Sequence, residues 1–204
     1  TLKMGYTQTV LASLHEVLVK EFNAPYLRLN REKDPLIVDS CLIPVSLYQY
    51  MLHELDNHQS ITDGLKPVLK LILILLYRTG MRFMEVLSLR IADVEYDNQA
   101  FTDYNLVLRP HAQRDLKSDD ATRRFMLNVL LQPDELAQFK QYFHQKLDQN
   151  AQYLFTLPHH SQPIDRNSVE LPFRQILGDQ LEGHYRDISM HSFRHNAISN
   201  MAIL

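Results

Sequence analysis

At 204 residues, with 45% hydrophobic and 22% charged side chains, the chain has the composition of an ordinary globular protein with room for one substantial core. Its longest apolar run, LILILLY at 71–77, is far short of the ~18 residues that a membrane-crossing helix needs, and no basic-then-apolar leader opens it, so secretion is unsupported. Cys41 is the single cysteine, which excludes an intrachain disulfide, leaves a structural zinc site without the two or more cysteines expected of it and makes a reducing cytoplasm the expected setting. The formal net charge of −3 means that any contact with nucleic acid must come from a local patch rather than from the overall balance.

Along the chain, YTQTVLASLHEVLVKEF (6–22) carries Leu11, Leu14, Leu18 and Phe22 at helical spacing. The next stretch, 23–44, has three prolines and no steady period, and reads as a linker. A second helix is expected from Ser46 to about Asn57, with Leu47, Met51 and Leu55 on one face. TDGLKPVLKLILILLYRTG (62–80) is the strongest helix. Thr62 or Asp63 is a suitable cap, Pro67 falls early enough to be tolerated, and Gly80 suits a left-handed end. Being apolar nearly all round, it should be the central buried helix. MRFMEVLSLRIADV then begins a short helix with Phe83, Val86, Leu87 and Leu89 turned inward. NLVLRP and RRFMLNVLL are β-type runs around the polar loop HAQRDLKSDDAT, and predict a small antiparallel sheet within a mainly helical (α+β) domain. Helix resumes at QPDELAQFKQYFHQKLDQ, with Leu136, Phe139, Phe143 and Leu147 as its stripe. After a short YLF strand, DRNSVELPFRQILG forms another helix whose start Pro172 restricts. The last helix is capped near Ser189 and breaks off in mid-pattern.

Three features carry candidate chemistry. On the last helix His191, Arg194 and His195 stand at i, i+3 and i+4 and project from one face. Metalloprotease-type helices place a Glu inside that His spacing, whereas here Phe193 and Arg194 occupy it, and a permanent guanidinium repels a divalent cation. A solvated polar face and an oxyanion site remain open, the latter using the bidentate fork of arginine. Secondly, Arg82 follows a glycine turn at the start of a helix, a place favourable to anions, with Glu85 one turn on to hold its side chain; a routine capping pair is the plain alternative. Thirdly, Lys117 lies on the loop between the β-runs, within RPHAQRDLKSDDATRR (109–124), where five Lys/Arg stand against three Asp. Arg114, Arg123 and Arg124 raise the positive potential there and are the candidate DNA contacts.

Taken in order, YRTGMRFMEVLSLR, Lys117 in a β-hairpin and HSFRH resemble the tyrosine recombinases, the family of phage integrases and Xer- and Cre-type recombinases. Thr79, Gly80, Arg82, Glu85 and Leu89 match the family's first box, T-G-x-R-x-x-E-x-x-x-L. His191, Arg194 and His195 match its second, H-x-x-R-H. The resemblance covers residues 44–204, with 31–43 as a linker and 1–30 as the end of an upstream helical DNA-clamping domain. It implies a mainly helical catalytic domain with a small antiparallel sheet, acting on double-stranded DNA as a homo-oligomer, a tetramer on DNA, in the cytoplasm of a prokaryotic cell or from a phage. No metal, ATP or other cofactor and no membrane are implied.

By the same resemblance Arg82 and Arg194 clamp the scissile phosphate. His191 assists at that phosphate or takes the tyrosine proton, Lys117 protonates the leaving 5′-oxygen, Glu85 orients the first-box arginine, and His195 supports the site. The family's third-box His or Trp and its nucleophilic tyrosine would fall beyond Leu204. Tyr185 precedes the second box and cannot be equated with that tyrosine, so a truncated recombinase, inactive by itself unless completed by a neighbouring protomer, is expected. A type IB-like topoisomerase, a catalytically silent DNA-binding regulator and a helical interaction module are the alternatives.

Overall fold

The computed structural model describes residues 20, 43–96, 103–111, 114, 122–178 and 188–203. The chain divides into two compact units, Thr1–Asp39 and Ser40–Leu204. The helix expected upstream and the linker lie outside the described residues, Lys20, Ile43 and Pro44 aside.

Within the second unit the helices are α1 (Val45–Asn57), α2 (Lys66–Thr79), α3 (Phe83–Leu87), α4 (Leu127–Leu130), α5 (Pro133–Asp148), α6 (Arg166–Gly178) and α7 (Met190–Ile203). A single 3-10 turn, Ile91–Asp93, leads into a three-stranded antiparallel sheet of β1 (Val94–Tyr96), β2 (Tyr104–Leu108) and β3 (Arg123–Met126), in that order. Among the described residues no helix is long and apolar enough to cross a membrane.

α2 is the centre, as its near-continuous apolar run predicts. Every residue from Leu71 to Tyr77 is buried, and α1, α3, α5 and α7 all pack on it. A helix with no polar face must be covered on all sides. Pro67 sits in its first turn, where a missing N–H costs nothing, although neither Thr62 nor Asp63 caps it. α1 contributes Leu47, Tyr48, Met51 and Leu55, and α5 contributes Phe139, Tyr142 and Phe143.

The sheet is shorter at one end than the β-run RRFMLNVLL implies. The strand stops at Met126, and Leu127–Leu130 coils into a helical turn. The side chain of Asn128 explains the break: its Oδ1 accepts the Tyr104 N–H at 3.0 Å, so the edge of β2 is satisfied without a continuing ladder. YLF likewise forms no strand. Tyr153 makes an isolated bridge to Arg90, and Leu154 N–H donates to the Leu89 carbonyl at 2.8 Å, tying this segment to the end of the first-box region. α6 begins at Arg166, six residues before Pro172, and runs through it.

Glu135 binds three helices together. Its Oε2 accepts the Gln132 N–H at 2.9 Å and so caps α5, while Oε1 accepts the Tyr48 hydroxyl of α1 at 2.7 Å. Arg78, from the last turn of α2, donates Nε and Nη2 to the same carboxylate at 2.9 and 2.8 Å. Its guanidinium also lies 5.4 Å from the centres of the stacked Tyr48 and Tyr77 rings. Truncating one partner of such a group leaves the others buried and unpaired, which costs about 3 kcal/mol. Glu135→Ala should therefore lower stability by about that amount in urea denaturation, and Tyr48→Phe by about 1 kcal/mol.

Burial alone would raise the Glu135 pKa, but the Arg78 bond, the Gln132 N–H and the Tyr48 hydroxyl together hold it below the ordinary value of 4.5. A carboxyl depressed in the folded state stabilises above its unfolded pKa and loses that contribution as pH falls through the folded one. The melting temperature should thus hold from neutral pH to about pH 5 and then fall as the pH drops further. Glu135→Gln should flatten this decline.

Gly80 ends α2 with φ +64°, in the left-handed region. A Cβ there would lie 3.1 Å from the Ala197 Cβ and 3.6 Å from the Arg194 carbonyl oxygen. The glycine therefore serves both the turn and the approach of α7. Gly80→Ala should cost about 1–3 kcal/mol, readable as a lowered melting temperature.

Candidate active site

The turn after α2 is stitched by Thr79, whose hydroxyl donates to the Leu75 carbonyl at 2.6 Å and accepts the Met81 N–H at 3.2 Å. The chain leaves this turn through Arg82, extended at φ −67°, ψ 146°. Glu85 then closes on it. Oε2 accepts the Arg82 N–H at 2.7 Å and Oε1 accepts Arg82 Nη1 at 2.9 Å.

This corrects one part of the sequence reading. α3 is only five residues long, and a carboxylate of its own caps its N-terminus, so the helix end is not an open anion cradle. The positive charge at this turn comes from guanidinium groups.

Arg194 reaches the same turn from α7, with Nη1 donating to the Gly80 carbonyl at 2.7 Å. Ser189 starts that helix: its N–H donates to Ser192 Oγ at 3.1 Å, and its carbonyl accepts the Ser192 N–H at 2.9 Å. Phe193, Asn196 and Ala197 are buried beneath it, and Asn196 Oδ1 accepts the Ile43 N–H at 3.2 Å.

Arg123 completes the group. Along β3 alternate residues turn to opposite faces. Arg123 and Phe125 are half-buried, while Arg124 and Met126 are exposed. Arg123 Nη2 donates to Glu85 Oε1 at 2.5 Å. Two guanidiniums thus bond a carboxylate that is only 6% exposed, with Arg194 on the adjoining Gly80 carbonyl, whereas Arg82 stays 45% exposed.

Electrostatics agree with this proximity. Burial, then the charges of Arg82 and Arg123, pull the Arg194 pKa below the ordinary arginine value, and Glu85 opposes them. Burial would raise Glu85, but the Arg82 N–H and guanidinium and the Arg123 charge hold it below the ordinary carboxylate value. With one negative and three positive groups, the cluster has a surplus of two positive charges.

The other sequence candidates fall in different places. His191 and His195 are exposed on α7, their rings edge to face with centres 4.5 Å apart. Among the described residues no three His, Cys, Asp or Glu side chains come together as a metal site requires.

Arg114, expected on the surface of the basic loop, is instead buried. Its side chain is 3% exposed and donates Nη2 to Asp93 at 2.6 Å and Nε to the Arg109 carbonyl at 2.9 Å. The reason is charge: Asp93 is itself buried after capping the Arg90 N–H at 3.0 Å, and needs a cation. Nearby, His111 Nε2 pairs with the Ser88 carbonyl at 3.2 Å, and burial, Arg114 and Arg90 lower its pKa.

Arg124 is exposed and donates to Glu95 Oε2 at 2.6 Å. Lys117 and Tyr185 lie outside the described residues. Tyr48, Tyr77, Tyr104, Tyr142 and Tyr153 are buried, which suits packing rather than nucleophilic attack. The seat of Arg194 on Gly80 and the inward turn of Arg123 escaped the sequence reading. Only the alternation along β3 carried a signal for the latter.

Comparison with solved structures finds the same fold. XerH site-specific recombinase bound to difH substrate, in a pre-cleavage complex, superposes with a TM-score of 0.63 at 15% identity, over 96% of this chain and 53% of that one. XerA recombinase gives 0.53 at 16% identity, over 92% and 57%. The Tn1549 transposon integrase in complex with transposon right end DNA gives 0.53 at 16% identity, over 86% and 56%. The chain therefore spans about half the length of these proteins. No curated protein sequence matches it. The sequence model of the phage integrase family matches residues 48–203, which include both boxes, the sheet and the arginine cluster between them. With its mainly helical fold and small three-stranded sheet, of the kind found in tyrosine-recombinase catalytic domains, the chain belongs to the phage integrase family.

Proposed function

We propose that this chain is the phosphate-activating part of a site-specific DNA recombinase or integrase, one that breaks and rejoins strands through a 3′-phosphotyrosyl intermediate. The observation that carries this reading is the meeting of Arg82 and Arg194 on the Gly80 turn, with Arg82 45% exposed and, among the described residues, one carboxylate beside the three guanidiniums. Solved relatives in complex with DNA support it.

Attack by a tyrosine oxygen forms an O–P bond and breaks the bond to the 5′-oxygen, which leaves as a hydroxyl once protonated. Negative charge on the phosphoryl oxygens rises from one towards two in the pentacoordinate transition state. A clamp with two surplus positive charges favours that state over the ground state. Arg82 and Arg194 are the donors to the non-bridging oxygens, and pre-placed donors of this kind contribute ~3 kcal/mol each. Glu85 holds Arg82. His191, one turn before Arg194, bonds the same phosphate or receives the tyrosine proton, and His195 supports its ring. Lys117 is the general acid for the 5′-oxygen. Arg124, on the exposed face of β3, contacts a backbone phosphate.

None of the ten tyrosines follows Arg194. On this reading the nucleophile comes from a segment outside these 204 residues, or from another protomer of a tetramer on DNA.

In the gene product that carries its nucleophile, Arg82→Ala or Arg194→Ala should reduce recovery of tyrosine-linked DNA at least ~100-fold. Duplex affinity at fixed salt should fall by less than about threefold, because most of it comes from other phosphate contacts. Parallel loss of affinity and cleavage would make these arginines anchors and sink the assignment.

A further inference from the structure

Glu85 carries more bonds than a routine orienting partner of Arg82 needs. Its Oε2 is taken by the Arg82 N–H. Its Oε1 is divided between two guanidiniums, Arg82 Nη1 at 2.9 Å and Arg123 Nη2 at 2.5 Å, the second from a different element of the fold. Building on the reading of Arg82 and Arg194 as a phosphate clamp, we propose that Arg123 is a positioning residue of that clamp, acting through Glu85 to leave Arg82 free for phosphate.

A carboxylate with one guanidinium partner neutralises it and draws it in. The same carboxylate shared by two neutralises neither fully. In the low-dielectric setting of a 6% exposed side chain this difference is large. With Arg123 present, Arg82 gives up one terminal nitrogen, and its Nε and Nη2 have no partner among the described residues. Without it, the whole charge of Glu85 falls on Arg82. The guanidinium would then fold back against its own helix and turn away from a bound phosphate.

The strand holds Arg123 for this task. Backbone pairing of Arg123 with Leu108 sets its height on the sheet, the alternation along β3 turns it inward, and its guanidinium lies 5.8 Å from the centre of the Phe125 ring. Arg124 next door lies on the outer face, exposed beside Glu95. The two adjacent arginines therefore have different work.

Calorimetric titration of inorganic phosphate into the 204-residue chain, at constant ionic strength, separates the outcomes. Arg194→Ala reports on the clamp itself. If the wild-type chain takes up no phosphate, or Arg194→Ala binds it as well as wild type, the clamp reading fails and this proposal fails with it.

Where the clamp binds, Arg123→Met should weaken phosphate binding roughly tenfold, and Arg123→Lys should recover most of the loss. In the Glu85→Gln background there is no carboxylate charge to share, so adding Arg123→Met should change affinity by less than about twofold. An equal loss in both backgrounds would make Arg123 a direct phosphate ligand. No loss in either would make it a structural ion pair. Either result overturns the proposal. Circular-dichroism melts establish folding of each variant. Should Arg123→Met not fold, Arg123→Lys takes its place, with a loss of about threefold that vanishes in the Glu85→Gln background.

Discussion

The contact between the α2–α3 turn and α7 is the constraint on which the site depends. Arg194 and Arg82 belong to helices far apart in sequence, and they come together only because α7 lies directly on the turn. A residue with no side chain makes that approach possible. Gly80 adopts a left-handed conformation, leaves room for Ala197, and offers its carbonyl to Arg194. One residue thus ends the central helix, seats the last helix and anchors Arg194. Any side chain there would strain the turn and push α7 away at once.

Around this contact the protein uses one electrostatic device three times. Glu85, Asp93 and Glu135 each accept the backbone N–H three residues earlier, capping their own helical turn. Each then receives an arginine from elsewhere in the fold: Arg123, Arg114 and Arg78 respectively. Capping places the carboxylate before tertiary structure forms, and burial makes the incoming arginine obligatory, because a desolvated carboxylate without a cation is costly. The local motif thereby selects a distant partner. At Glu135 the partner joins helices, at Asp93 it is the buried Arg114, and at Glu85 it comes from β3.

The surplus positive charge of that cluster is set against a chain whose net charge is −3. Overall composition averages over the surface and says nothing of a focus at one turn. Oriented guanidiniums in a partly desolvated place act on a phosphate far more strongly than the same charges spread through solvent. On the proposed reading, affinity for duplex DNA and activation of one phosphodiester would rest on different residues.

Periodicity was enough to place α1, α2, α5, α6 and α7, because apolar spacing and turn chemistry are local properties that survive in any tertiary setting. The two boxes were legible for the same reason, being short segments whose spacing places side chains on one turn or face. What lay beyond local pattern was the partner of each charge. Arg114, Arg123 and Arg124 sit in a single basic stretch and look interchangeable there. In the folded chain one is buried on Asp93, one turns inward to Glu85, and one is exposed beside Glu95. The helical turn at Leu127–Leu130 was equally hidden, since it follows from Asn128 capturing a backbone N–H of another strand. The sequence by itself determined the helices, the left-handed glycine and the arginines of the boxes. Tertiary structure alone decided which carboxylate each arginine meets, because burial and long-range charge pairing depend on segments that chain order keeps apart.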